Sequence, residues 1–442
     1  MFADPPQPER ALSPMERAFW LLDRKCSFNG VNTSRIRGPL TESVVRSALN
    51  WVQARHPQLR VHIEGHPLQF VADARPLSLR IVERESTETW RAVEHDELNR
   101  RYESGDLLSR AVLVRGDEVS ELIISHQHVI ADAQSAVIMA REIVEAAGAV
   151  AAGNPLPPPT SFELRAPLET LLRATLPWWK RILAMNLFFF RHLFTKIFRR
   201  PTKLAIDQAA GFSDRRLAVH HRALSPAQTR QLAARARKLQ TTVQGALGAA
   251  MLVTSADERP PGAKVATFGC FSGVSLRHHF QLGEEMGLYV SQVSTYHSAP
   301  QEFWTLAREV KEALKRTLTY GDQYVTLPMM GMFIPRKGSQ QAVVDKFAAR
   351  FDLGAPATVG VTNIGAVGLP RFAGPLELES FEISVGPSVV APLIAAVSTF
   401  RDQLSLSIVY VEPLISSERA GRFADDVVAR LSAAATSSEP ST

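Results

Sequence analysis

The sequence predicts a mixed α/β (α+β) protein organised as two large domains, and three observations carry that expectation. Helical periodicity and short strand-like runs are interspersed in both halves of the chain, so neither half reads as all-α or all-β. Its 442 residues exceed one ordinary core, at roughly 100 to 200 residues per domain, which leaves two large domains as the default over three small ones. With 45% hydrophobic and 21% charged residues, most of the chain can bury enough apolar surface to fold. Disorder is expected only at the ends, as in the tail "SSEPST".

Taken in chain order, "LTESVVRSALNWVQARHPQL" opens on Thr41 and keeps helical spacing until "HP", where proline disfavours continuation; a helix is predicted over about 41 to 55. The runs "LRVHI", "LQFVADA" and "LSLRIV" predict strands. A helix near 88 to 102 and the strands "RAVLVRG" and "SELIISHQ" follow. "DAQSAVIMAREIVEAA" reads as a helix with Asp132 at its N-cap, which puts His128 in a strand-to-helix turn. The Gly-, Ala- and Pro-rich stretch 148 to 162 is a linker. Ser225 and Pro226 form an N-cap and N1 pair that opens the first of two helices ending near 256. Strands are predicted in "AKVATFGCFSGVSL", "GLYVSQVSTYHS", "ATVGVTNIG", "VVAPLIAAVSTF" and "QLSLSIVYV", with helices at 302 to 318 and 416 to 434. The expected division is therefore 1–160, a basic aromatic crossover segment 161–210, and 211–442.

The net charge of +6 is local. Between Glu169 and Asp207 lie eight bases and no acid, and the rest of the chain carries 42 bases against 44 acids. A spread nucleic-acid-binding face is disfavoured. Cys26 and Cys270 are far apart and outside any Cys/His cluster, so neither a disulfide framework nor a zinc site is indicated. No apolar h-region follows a basic start, so no signal peptide is expected, and the simplest compartment is the cytoplasm.

Residues 125 to 135 read "SHQHVIADAQS". A histidine with a pKa near 6.5 offers an unprotonated ring at neutral pH, as a general base must. A carboxylate one helical turn away can organise its loop, directly or by pairing with an arginine elsewhere. Taken alone the pattern is weak, because a surface histidine followed by an N-capping aspartate produces it too. The adjacent pairs His220, His221 and His278, His279 sit in strand-like contexts where neighbours face opposite sides, and His56 precedes a proline at a helix end. No metal is expected.

The surroundings of the motif are more specific. "IISHQHVIADA" resembles the H-H-x-x-x-D-G motif of the condensation-domain-like, chloramphenicol-acetyltransferase-like acyltransferases. The resemblance is nearest to stand-alone members such as phthiocerol/phthiodiolone dimycocerosyl transferase and bacterial alcohol acyltransferases. "LSPMERAFWLLD", "QARHPQLRVHI", "TTVQGALGAAMLV", "GVSLRHHF", "MGLYVSQV" and "VTNIGAVG" resemble further stretches of the same superfamily in the same order, over about residues 12 to 432. The resemblance implies two chloramphenicol-acetyltransferase-like subdomains in a V with a central tunnel, an acyl thioester entering from one side and the acceptor from the other. It implies that His128 is the catalytic base, and that Asp132 pairs with Arg277, from "VSLR", in a structural role.

The chain departs from the family pattern at several points. Gln127 replaces the first motif histidine and Ala133 the glycine, so the turn cannot cheaply demand a positive φ. His126 is either a substitute for that histidine or an ordinary edge histidine. Thr362, Asn363 and Gly365 line or brace the tunnel, with Asn363 polarising the oxyanion, or else form a plain strand-end turn.

"PWWKRILAMNLFFFRHLFTKIFRR" has only nine consecutive uncharged residues, 182 to 190, against the ~20 of a bilayer span. On a helical wheel Lys180, Arg181, Ala184, Arg191, His192, Thr195 and Arg199 share one arc. Trp178, Trp179, Phe189 and Phe190 are among the apolar residues of the other, and Phe188 falls on the wrong side. Several readings remain open: a membrane-interface helix, a crossover helix whose apolar face covers the fold, a lid over a tunnel mouth that accepts lipidic substrates, and a basic face that meets an acidic acyl carrier protein.

The function expected is acyl transfer from a coenzyme A or acyl-carrier-protein thioester to the hydroxyl of a lipophilic or secondary-metabolite acceptor, with no cofactor. The alternatives are amide formation with an amine acceptor, and a non-catalytic recruitment domain of the same fold. Expected partners are the donor thioester, a carrier protein, the acceptor and a peripheral membrane contact, with no nucleic acid.

Overall fold

The computed structural model describes residues 9–259, 264–326, 328–334, 340–351, 358–386 and 391–436. The tail expected to be disordered lies outside them. Two compact units are present, each with a six-stranded sheet. The first comprises 1–171, 275–289 and 367–386; the second comprises 172–274, 290–366 and 387–442. The expected boundaries at 160 and 210 are not those of the units, because two later segments belong to the first.

The first unit's sheet has the strand order Phe372–Ala373, Leu376–Val385, Asn29–Arg37, Val119–Gln127, Ser109–Arg115, Ser78–Glu83. All neighbours are antiparallel except the last pair. Val119–Gln127 is central, and every residue after Val119 is buried, which is why Leu122, Ile123 and Ile124 run consecutively rather than alternate with polar residues. Asn29 and Ser125 bond Glu97 of helix Thr89–Asn99. By the period of two, Gly30 and His126, paired in register, face the other way. Helix Glu42–Arg55 starts at the N-cap Thr41, as its pattern predicts, and packs on helix Ala133–Ala151.

Two long strands of this sheet were not foreseen. Asn29–Arg37 is polar-rich, and Leu376–Val385 lies more than 300 residues later yet pairs with it, Ser34 opposite Phe381. Long-range pairing of this kind leaves no local mark, although Leu376 and Leu378, and Phe381 and Ile383 after the register shift, are spaced by two as on one face of a strand.

The second unit's sheet runs Val290–Ala299, Ala266–Ser275, Val359–Ala366, Leu393–Phe400, Gln403–Glu412, Arg216–Leu224. Its core surrounds helix Val243–Asp257, buried from Gly245 to Ala256. A Cβ on Gly245 would lie 2.5 Å from the Ala307 carbonyl of helix Phe303–Thr319, so glycine allows that close approach. Ser225 caps helix Pro226–Lys238 in a reciprocal box with Gln228. Cys26 and Cys270 are both buried, and neither is in a disulfide.

A Cβ on Gly30 would fall 2.4 Å from His126 Nε2, whereas one on Gly368 meets nothing within 4 Å. Gly30→Ala is expected to lose about 1–3 kcal/mol of stability by overpacking, and Gly368→Ala well under that. Urea unfolding followed by circular dichroism compares the two.

Candidate active site

The strand Val119–Gln127 ends one residue before His128, and the helix Ala133–Ala151 begins one residue after Asp132. The turn between them is closed from within. Gln127 Oε1 accepts from the Val129 amide at 2.5 Å, and the Ile130 amide donates to the Gln127 carbonyl. Gln127 is fully buried, and its oxygen is committed to the turn. Ala133 is the first helical residue and is not among those with positive φ, so glycine is not required there.

His128 Nδ1 lies 2.8 Å from the Ala131 carbonyl. A carbonyl only accepts, so Nδ1 carries the proton and the Nε2 lone pair is the basic one. The rings of Phe19 and Phe28 meet the imidazole edge-on, with centroids at 5.3 and 5.1 Å. Burial among them lowers the His128 pKa below its usual value, partly opposed by backbone hydrogen bonds and by Asp132. The ring is therefore neutral at neutral pH.

Asp132 is the N-cap and does more than cap. Its Oδ1 accepts from the Ser135 amide at 2.8 Å, the Ser135 hydroxyl at 2.9 Å and Arg277 Nη2 at 3.1 Å, and its Oδ2 from the Tyr289 amide at 3.1 Å. Arg277 also donates to the Ser135 hydroxyl at 2.7 Å and, through Nη1, to the Glu285 carbonyl at 2.9 Å. The Asp132 amide donates to the Gly287 carbonyl at 3.1 Å. The carboxylate is thus turned into a buried network and holds the end of the turn. A Cβ on Gly287 would collide with the Tyr289 ring at 2.4 Å, so this crossing needs glycine.

His126 is buried against Gly30, and burial first, then the neighbouring His128, pushes its pKa down to about 3. Its Nδ1 has no hydrogen-bond partner. Thr362, Asn363 and Gly365 belong to the second unit, at the end of the Val359–Ala366 strand. There Asn363 Oδ1 accepts from the Gly365 amide at 2.9 Å, Gly365 has φ +73°, and the register shifts beyond Asn363. This is a strand-end turn closed by its own asparagine. Trp178, Trp179, Phe189 and Phe190 are exposed on helix Trp178–Phe194, which overturns the reading in which its apolar face covers the fold. No helix of the described residues is long and apolar enough to cross a membrane. Among the described residues, no three His, Cys, Asp or Glu side chains gather as a metal site would. Elsewhere His56 is paired with Glu142 at 2.8 Å.

Ser135, Gly287, Tyr289, Phe19 and Phe28 were not singled out from sequence. Only Ser135 had a local signal, lying three residues after an N-capping aspartate.

Comparison with known proteins bears on the fold. The condensation-domain model matches residues 9–163, and the model of the phthiocerol/phthiodiolone dimycocerosyl transferase C-terminus matches residues 213–409. The chain is thus similar, in two successive stretches, to models of the condensation-domain-like acyltransferase kind. Polyketide synthase associated protein 5 from Mycobacterium tuberculosis is similar in fold, with TM-score 0.70 and 17% identity over 98% of this chain and 99% of that one. The trichothecene 15-O-acetyltransferase of Fusarium sporotrichioides gives TM-score 0.69 and 12% identity over 97% and 96%. A vanchrobactin synthetase of Vibrio anguillarum is 29% identical over 139 residues, 28% of this chain. That match spans only 5% of the synthetase's length. The resemblance carried by the motifs and the mixed α/β fold with two large sheets are both borne out at this level.

Two outcomes are expected. Arg277→Ala strands the Asp132 carboxylate in the interior and should cost about 3–5 kcal/mol in denaturant unfolding, with Arg277→Lys recovering part of it. Because folded His126 refuses a proton down to about pH 3 while the unfolded chain takes one from pH 6.5, stability should fall with acidification across that window. This group contributes a slope of about 1.4 kcal/mol per pH unit, and His126→Phe should remove it from the pH dependence of the unfolding midpoint.

Proposed function

We propose that the protein transfers an acyl group from a thioester, carried by coenzyme A or an acyl carrier protein, to an acceptor hydroxyl, with His128 as general base. The observation that carries the reading is the His128 tautomer. With Nδ1–H tied to the Ala131 carbonyl, the lone pair on Nε2 is available to the acceptor. As the hydroxyl oxygen attacks the thioester carbonyl, its proton passes to Nε2 and a tetrahedral oxyanion forms. Collapse of that intermediate breaks the carbon–sulfur bond, and the leaving thiolate takes the proton back from Nε2. The products are an ester and a thiol, and His128 ends neutral.

The lowered pKa supports this role, since a base must begin unprotonated. Asp132 and Arg277 are positioning residues in this scheme: both act through the turn, and neither carboxylate oxygen bonds the imidazole in the network described. The thioester is already activated, so the scheme calls for no cofactor. Ester formation is favoured by the name of one structural relative, an O-acetyltransferase, and by the transferase description of the family model.

The test is turnover of a panel of acyl-coenzyme A and acyl-carrier thioesters with mixed alcohols and amines, read by mass spectrometry. The wild type is expected to yield an ester and His128→Ala to lose at least ~10²-fold in rate. Because the ring's pKa is lowered, the acid limb of kcat/KM should fall below pH 6.5, the activity being full above it and lost as the ring protonates. Equal rates in both proteins, or amide products alone, would overturn the assignment.

A further inference from the structure

Helix Trp178–Phe194 meets its own unit with the side that the sequence makes cationic. Ala184 is its buried residue, seated against Gly321. Arg191 makes a two-pronged pair with Asp322, both contacts 2.8 Å, and lies over the Tyr320 ring. In the turn Thr195–Arg199 that follows, Thr195 is buried and Arg199 donates to the Tyr296 carbonyl at 3.1 Å. Phe188, misplaced on the amphipathic wheel, is half-buried and stacked on His192 at 5.8 Å, so it is a packing residue.

The arc left outside is the apolar one. Trp178, Trp179, Leu183, Phe190, Leu193 and Phe198 are 67, 50, 51, 71, 56 and 70% exposed. A helix that served only its own fold would be turned the other way round, apolar side in. Contiguous exposed aromatics on this scale mark a surface that meets something. The charges indicate what. No acid lies between Glu169 and Asp207, while Lys180, Lys196, Arg200 and Lys203 stay exposed around the ends of the apolar strip. An acidic protein reading the cations would find Arg191 and Arg199 already engaged, and would face tryptophan and phenylalanine instead. An anionic bilayer surface matches both parts: rings enter the boundary between headgroups and chains, and the flanking cations meet lipid phosphates. Seventeen residues make a helix about 25 Å long, which lies in the plane of the interface rather than across it.

We propose that this helix is a membrane-docking surface whose occupant is the interfacial layer of an anionic lipid bilayer. The inference is independent of the acyl-transfer chemistry, since it rests on the second unit alone.

The full chain is floated with vesicles of phosphatidylcholine, alone and with about one third phosphatidylserine. The wild type is expected to float with the anionic vesicles and to shift its tryptophan emission to the blue. The triple variant Trp178→Ser, Phe190→Ser, Leu193→Ser removes only exposed side chains, leaves no cavity, and should lower the bound fraction at least ~10-fold. Lys180→Glu with Lys196→Glu should lower it at least ~30-fold on anionic vesicles only. Absence of flotation and of an emission shift in the wild type would overturn the proposal, as would equal binding by the triple variant. A wild-type dimer that the triple variant dissolves, without vesicle binding, would assign the face to a second copy instead. Binding of an acidic carrier protein in place of vesicles would equally overturn it.

Discussion

The constraint on which the candidate site depends is the burial of the Asp132 carboxylate. An ionised carboxylate taken out of water costs several kcal/mol unless every lone pair meets a donor. Here the donors are the Ser135 amide and hydroxyl, Arg277 and the Tyr289 amide. Satisfying them fixes the first turn of the helix Ala133–Ala151 and the path of residues 275–289 within the first unit. It also fixes where the turn carrying His128 ends. The aspartate therefore holds backbone in place, and its charge is met by Arg277 within the network.

Two histidines two residues apart show how environment separates roles. His126 is sealed against Gly30 with its pKa far down, so it stays uncharged from neutral pH to about pH 3. His128, just beyond the strand, is only half-buried and keeps one nitrogen tied to a carbonyl. The first is an uncharged ring packed over Gly30, and the second is a neutral imidazole whose Nε2 lone pair is not tied to the turn. The difference follows from where the strand ends, at Gln127.

Local features of the site were legible in the sequence, and the rest was not, for a physical reason. The N-cap at Asp132, the turn at His128 and the helix after it are set by residues within one or two turns of each other, and sequence patterns record such short-range chemistry. Arg277 lies 145 residues away, and it was found by resemblance rather than by spacing. Gly287 and Tyr289 act through backbone groups, which every residue carries, so no residue type announces them. The strand Leu376–Val385 keeps two-residue spacing on either side of its register shift, yet its membership of the first unit depends on a partner near the N-terminus. Helix Trp178–Phe194 was legible as amphipathic, but which side turns inward was decided by Asp322 and Gly321, far outside it.

The central claim is that this network presents His128 as a neutral imidazole protonated on Nδ1. The most direct measurement is a two-bond proton–nitrogen correlation spectrum of protein labelled with nitrogen-15 in its 12 histidines, with His128 assigned by its loss in His128→Gln. The account predicts a His128 pattern with Nδ1 protonated and Nε2 bare at neutral pH, changing to the doubly protonated form only below pH 6.5. A pattern with the proton on Nε2, or a ring already doubly protonated at pH 7, would contradict it.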